Sequence, residues 1–470
     1  MPLHSRTERS LVNGQPSAPK FAVEQPGPRP VSRQFSLQSS SPAVRFLCGS
    51  LVLFSMALLL WRTHPVPTQA PRDFETLYAS TYCLTHHCNP YNIQVLNDVL
   101  LAQHQVPTGA WTDTMPIYPP TSMMLLAPLS YLPFDVAAAV WFALAFAAYC
   151  LAVCWLFLIY PGLQSIPIPV RAAVIALLML FPKAAWALSV GNPSLLVISL
   201  LIFITFDENP SRQNLRLALF CAACLLKPQL SLPFILLLYL RGDRSSFKRI
   251  FVAFAVLAAT CAVVFFYASR YPETADWATD IAENLRQATA PGMSMDPSLR
   301  MNGSNSLLNV QYILGYWISR SALTQAISLS FNAFLGIIFL WAAWKNLRRP
   351  MSTSSESYIL AAATLASLVL LPVYHRFYDA AILIFALPWI LRCVSRGSHA
   401  RRVILPLLLL AVLYKDWLRT VTFPMTGSFL GQTLTFIHFR YESLSALLLA
   451  CTLLAIFLLQ ERARPGSEAR

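Results

Sequence analysis

Runs of about 15 to 25 apolar residues recur from residue 46 to residue 460, each long enough to cross a hydrocarbon layer of about 30 Å as a helix. This feature constrains the fold most, because in lipid every backbone N–H and C=O must find its partner inside the protein. Runs of this length therefore read as helices. The expected spans are approximately 46–61, 136–160, 170–188, 191–206, 251–269, 321–344, 357–372, 379–394, 402–414 and 442–460. A further apolar stretch, 215–240, is interrupted at Lys227-Pro228, where proline removes a donor and bends the chain. Read as two short helices meeting near one membrane face, it brings the total to about 12 spans in an all-α polytopic membrane protein. The competing topology makes 121–132 a span and 215–240 a single kinked one.

The formal charge of +14 raises nucleic acid as a partner, but the basic residues are scattered over short loops without a basic face interleaved with aromatics. They instead report orientation. With the N-terminus inside, Lys and Arg concentrate on the inner segments and the acids on the outer ones, as the positive-inside rule expects. Both termini are then cytoplasmic, and two long outer segments, about 62–135 and 270–320, carry polar, aromatic and proline residues. Residues 1–43, rich in Ser, Pro, Gln and Arg, lack the apolar surface to offset ordering entropy and read as a disordered cytoplasmic arm. Residues 44–460 form the membrane domain and 461–470 a cytoplasmic tail. The first apolar run reads as a signal anchor, since it starts far from Met1 and ends in WRTHPVP rather than at a small-residue cleavage site.

Most of the ten cysteines sit in apolar runs and read as packing, Cys221 and Cys224 included. Cys83 and Cys88, in YCLTHHCNPY, differ: an oxidising compartment permits a disulfide there. His86 and His87 lie between them, but no second ligand pair has zinc-like spacing. No cofactor is expected, and a divalent metal is left open.

Ion-coupled transport calls for ionisable residues near the bilayer midplane. No acid falls inside the spans drawn above except at their ends; only Lys183 and Lys227 sit within apolar stretches, each beside a proline. The acids gather at outer helix ends, which suits chemistry at the interface. Transfer of a sugar from a lipid phosphate requires a group that takes the acceptor's proton and a cation facing the departing phosphate. Candidates are Asp73 and Glu75 in RDFETLY, His375, Arg376 and Asp379 in VYHRFYD, and Lys227 in LLKPQ. Each also has a plainer reading. Asp73 and Glu75 suit the first turn of a helix, with Glu75 solvated; Lys227 suits a snorkelling side chain. His375 suits a bond to an interfacial carbonyl, and Asp379 orients a neighbour or caps the following helix. Tyr78, Tyr91, Tyr118, Tyr374 and Tyr378 suit an aromatic belt as well as sugar stacking.

The ordered blocks DFETLY…CNPYN, IYPPTSMMLLAPLSYLPFDVAAAVW, SVGNPSLLVISLL, AACLLKPQLSLPFILLL, NGSNSLLNV and YHRFYDAAILIFALPWIL, spread over about residues 73–391, resemble glycosyltransferase family 87. The resemblance implies a GT-C-type fold with interfacial helices in the first outer loop. It further implies an inverting transfer of a hexose, mannose favoured, from a polyprenyl-phosphate sugar to a glycan or glycolipid at the outer face. On this reading Asp73 and His375 are the catalytic pair, either one the proton acceptor, and Lys227 and Arg376 bind the donor phosphate. Glu75, Asn89, Tyr91, Tyr118, Asn305, Tyr378 and Asp379 contact substrate. The family's G-Q-x-N block is GNPS here, which leaves Asn192 without an assigned role, and THHC replaces a glycine-containing segment before NPY. The membrane is expected to be a bacterial inner membrane with the active site extracytoplasmic. The rival classes are a transporter or flippase of lipid-linked saccharides and a non-catalytic glycolipid-binding partner.

Overall fold

The structure, a computed structural model, describes residues 41–63, 72–103, 115–240, 244–268, 270–271, 276–290, 293, 296, 307–318, 321–346, 355–372, 375–397, 400–414 and 429–462. The expected cytoplasmic arm and tail, Tyr374 and Asn305 therefore lie almost wholly or entirely outside the described residues.

Among the described residues the chain is helical, in the order α1 (Pro42–Thr63), α2 (Arg72–Thr85), α3 (Ile93–Ala102), α4 (Pro120–Leu126), α5 (Phe134–Cys154), α6 (Ile168–Met179), α7 (Pro182–Ser189), α8 (Ser194–Phe206), α9 (Gln213–Leu226), α10 (Pro228–Ser231), α11 (Ile235–Leu240), α12 (Arg244–Ala268), α13 (Trp277–Ala288), α14 (Val310–Leu314), α15 (Ser321–Asn346), α16 (Glu356–Leu368), α17 (Leu387–Arg396), α18 (Ala400–Tyr414) and α19 (Phe429–Arg462). A ten-residue 3₁₀ run, Phe377–Ala386, leads directly into α17.

Among the described residues five segments are long and apolar enough to cross a membrane: Pro42–Thr63, Phe134–Ile159, Ala322–Lys345, Phe377–Arg396 and Leu430–Gln460. A sixth, α6 with α7, is bent by 44° at its break. This supports an integral, polytopic, all-α protein. The expected total of about 12 spans is not matched by that number of membrane-length helices among the described residues. Helix α8 has 13 residues and α16 has 13, each spanning about 20 Å at 1.5 Å per residue, short of a hydrocarbon core. The stretch 121–132, a span in the competing topology, is taken up by α4 and a short 3₁₀ turn (Ala127–Tyr131) instead.

The break at Lys227 is present. α9 ends at Leu226, Lys227 is extended (φ −149°, ψ 78°), and α10 begins at Pro228. Side chains supply donors at the break: Thr121 Oγ1 donates to Leu225 O (2.9 Å), and Ser231 Oγ reaches Ala223 O (3.0 Å) and Lys227 O (2.8 Å), which also accept backbone N–H groups. Such side-chain bonds help make a broken helix tolerable in lipid.

One extended hydrophobic core joins most helices. The two lysines that the sequence places in apolar stretches each meet an acid from far along the chain, Lys183 with Glu442 and Lys227 with Asp379. The expectation that no acid lies well inside a span is corrected accordingly: Asp379 and Glu442 fall within the Phe377–Arg396 and Leu430–Gln460 segments and are buried. An ion pair removes much of the cost that each charge carries alone in an apolar interior.

Candidate functional site

The site begins at a helix junction. α7 stops in a Schellman motif, in which Asn192 N donates to Ala187 O (2.9 Å) and Gly191 N to Leu188 O (3.1 Å), with Gly191 at φ +69°. Glycine is suited to that left-handed position, and Trp141 Nε1 holds its carbonyl at 2.8 Å. The carbonyl of Val190, at the C-terminal end of α7, accepts from Asp73 N (3.0 Å) and Phe74 N (3.2 Å), the first free donors of α2. Two helix ends thus satisfy each other's orphan groups, and their dipoles align head to tail. This junction puts Asp73 beside Asn192.

Asn192 is the hub. Its Nδ2 donates to Asp73 Oδ2 (2.7 Å) and lies 2.9 Å from the Tyr378 hydroxyl, which itself donates to Asp73 Oδ2 (2.8 Å). Its Oδ1 accepts from Ser194 N (2.9 Å), at the start of α8, and contacts Ser194 Oγ. Ser194 Oγ in turn bonds Asp379 and accepts from Lys227 Nζ (2.6 Å). Lys227 Nζ also reaches Asp379 Oδ1 at 2.7 Å, and the other Asp379 oxygen, Oδ2, is 3.0 Å from His375 Nδ1. A continuous polar chain therefore runs from Asp73 to His375 through Asn192, Ser194 and Asp379. The 3₁₀ run that carries Tyr378 and Asp379 is much longer than usual for that helix type, a deviation that tends to mark functional segments.

A cavity of about 100 Å³ opens on this chain. Asp73, Asn192 and Tyr378 line it on one side, and Lys227, Arg376 and Asp379 on another. Met115, Ile117, Tyr118, Pro119 and Gln229 complete the rim. The carboxylate of Asp73 is only 5 % exposed, so its charge acts in a poorly solvated space.

The structure distributes the sequence candidates unevenly. Asp73, Lys227, Arg376, Tyr118, Tyr378 and Asp379 share the cavity. His375 does not line it: the side chain is 0 % exposed and sits behind Asp379, and its Nε2 has no hydrogen-bond partner among the described residues. Glu75 is buried rather than solvated, and is not a lining residue. Asn89 and Tyr91 act one layer out. Asn89 Nδ2 bonds Asp280 Oδ2 (2.6 Å) on α13 and its Oδ1 accepts from Tyr91 N (3.0 Å), while the Tyr91 hydroxyl donates to Tyr118 O (2.8 Å). Burial pushes the Tyr91 hydroxyl well above the usual tyrosine range, so it remains a donor. These two residues fix the rim segment that presents Tyr118. The sequence reading left Asn192 without a role and did not single out Ser194 or Gln229. The signal available for the first two was the GNPS punctuation itself, a helix stop followed at once by a helix start.

A disulfide joins Cys83, in the last turn of α2, to Cys88 just past its end. Among the described residues no group of three or more His, Cys, Asp or Glu side chains is arranged to hold a metal ion.

The model of glycosyltransferase family 87 matches residues 117–372, more than half of the chain. No curated protein and no solved structure matches it.

Proposed function

The chain belongs to glycosyltransferase family 87, and from that premise we propose that it transfers a hexose, mannose favoured, from a polyprenyl-phosphate donor to a glycan or glycolipid acceptor at the outer face of a bacterial inner membrane. The observation that carries this reading is the pairing, in one cavity, of a buried carboxylate with two cations. Asp73 supplies the proton acceptor, and Lys227 and Arg376 supply the phosphate site.

The transfer balances as follows. The acceptor oxygen attacks the anomeric carbon, its proton passes to Asp73, and the bond from that carbon to the phosphate oxygen breaks with inversion. The electron pair leaves on the phosphate, whose added charge faces Lys227 and Arg376, so no general acid is required. Asn192 and Tyr378 hold the Asp73 carboxylate in one orientation. Lys227 gives two of its three hydrogens to Ser194 and Asp379, which leaves one for a phosphate oxygen. His375 acts as a positioning residue, orienting Asp379 and through it Lys227.

The proposal includes a twelve-span, GT-C-type architecture over residues 44–460 with both termini cytoplasmic. The test is incubation of the purified chain with radiolabelled polyprenyl-phosphate hexoses and host membrane lipids, followed by product analysis. A radiolabelled glycan or glycolipid of inverted anomeric configuration supports the reading. Label that crosses the bilayer of reconstituted vesicles without forming a new linkage contradicts it in favour of a flippase.

A further inference from the structure

α2 ends in a second Schellman motif, in which Cys88 N donates to Cys83 O at 2.9 Å. The left-handed position of this motif, where glycine is the residue of choice, holds His87 at φ +63°. Among the described residues it is the one non-glycine with positive φ, and a disulfide between Cys83 and Cys88 closes the turn around it. A side chain kept where its backbone is strained points to a use for that side chain.

The imidazole is exposed and stacks on Tyr271 (centroids 4.0 Å, 26°), with the Tyr267 hydroxyl 2.5 Å from Nδ1. Next to it, the exposed His86 ring stacks on Tyr82 (3.8 Å, 9°). Flat rings with polar edges thus stand on a turn locked by a disulfide. They are continuous with the site, because Tyr267 packs in the same apolar cluster as Tyr91 and Tyr118, and Tyr118 lines the cavity.

The cavity, at about 100 Å³, lies below the roughly 300–1,000 Å³ of ordinary ligand pockets, so the reacting hydroxyl of an oligosaccharide acceptor enters it while the rest of the glycan extends beyond it. Aromatic faces bind pyranose rings because the sugar's C–H face is apolar and weakly positive while the ring face is negative, and the polar edges reach the hydroxyls. A membrane-interface belt uses Trp and Tyr; adjacent imidazoles suit a water-facing surface better.

We propose that the turn carrying His86 and His87, with Tyr267 and Tyr271, is a saccharide-binding subsite that holds the acceptor glycan beyond the catalytic cavity. The assignment of the bound sugar as acceptor rests on the transferase reading; the binding of saccharide there does not.

The test uses the purified full chain in nanodiscs without donor, probed with methyl hexosides and linear hexose di- to tetrasaccharides by saturation-transfer NMR and titration. Saturation passes to the pyranose C–H protons of at least one oligosaccharide. His87→Gly and Tyr271→Ala each weaken that affinity about 3- to 10-fold, the worth of one ring contact. His87→Gly does so while melting at the same or a higher temperature, because glycine relieves the strained φ. In turnover assays the acceptor KM rises by the same factor and the donor KM stays put. No saturation transfer to any probe, unchanged affinity in both variants, or a loss of affinity that follows a fall in melting temperature overturns the proposal. So does unchanged sugar binding with weakened retention of His87→Gly in the bilayer, which assigns the rings to anchoring. A chain that binds saccharide here but transfers no sugar sinks the transferase reading alone.

Discussion

Replacing Asn192 tests the hub of the polar chain. The Asn192→Ala variant removes one of two donors from Asp73 Oδ2, at 2.7 Å, and the acceptor of Ser194 N at 2.9 Å. A hydrogen bond to a charged group is worth about 1.5–3 kcal/mol, and 1.4 kcal/mol is a factor of ten in rate. If the donor serves to hold the carboxylate for reaction, kcat/KM for transfer falls about 10- to 100-fold. Tyr378→Phe removes the second donor, at 2.8 Å, and is expected to cost a similar factor. Because both donors act on one oxygen and lie 2.9 Å apart, the double variant should not show the product of the two effects, and a coupling of about 0.5–3 kcal/mol is expected from the cycle. The assay is kcat/KM for sugar transfer by purified variants whose melting temperatures in detergent are compared in parallel. Full activity in a folded Asn192→Ala variant, or strictly multiplicative losses in the cycle, would refute the reasoning that Asn192 and Tyr378 jointly orient Asp73.

Lys227→Gln keeps a donor but removes the charge that faces the phosphate and pairs with Asp379, so donor KM should rise at least tenfold in steady-state kinetics with acceptor KM little changed. Lys183→Met leaves Glu442 buried without its cation and should destabilise the fold by about 3–5 kcal/mol in denaturant titrations, with Lys183→Met/Glu442→Gln recovering much of that loss. Gly191→Ala forces a side chain into the left-handed region at φ +69°, expected to cost about 1–2 kcal/mol, and because Asn192 follows directly, transfer should fall further than the stability loss explains.

The two interior lysines were legible in the sequence, since a lysine in an apolar run is conspicuous, whereas the buried Arg171 and Arg440 were not singled out. The partners of the lysines were not legible. Lys183 meets Glu442 across 259 residues and Lys227 meets Asp379 across 152, and no local pattern encodes such pairings. The break at Lys227 could be read from proline chemistry alone. Asn192 was left without a role because GNPS departs from the family's G-Q-x-N block, and only the tertiary fold shows that the same side chain both follows α7 and bonds Asp73. His375 and Asp379 lie four residues apart, a spacing that hinted at their contact, but burial behind the carboxylate is a property of packing. The 3₁₀ run is hidden from periodicity analysis because a segment apolar but for Asp379 has no amphipathic repeat to distinguish three residues per turn from 3.6. Expected spans looked long where apolar residues continue past the end of a short helix, as at residues 369–371 after α16.

The central claim is that Asp73 takes the acceptor's proton in a cavity whose cations hold the donor phosphate. It is tested most directly by comparing wild type and Asp73→Asn for single-turnover transfer from a radiolabelled polyprenyl-phosphate hexose, with donor affinity measured on the same preparations. The account predicts a fall in transfer of about 10²–10⁴-fold with donor affinity retained, since asparagine preserves the shape but accepts no proton at neutral pH. Undiminished transfer by the folded variant would contradict it.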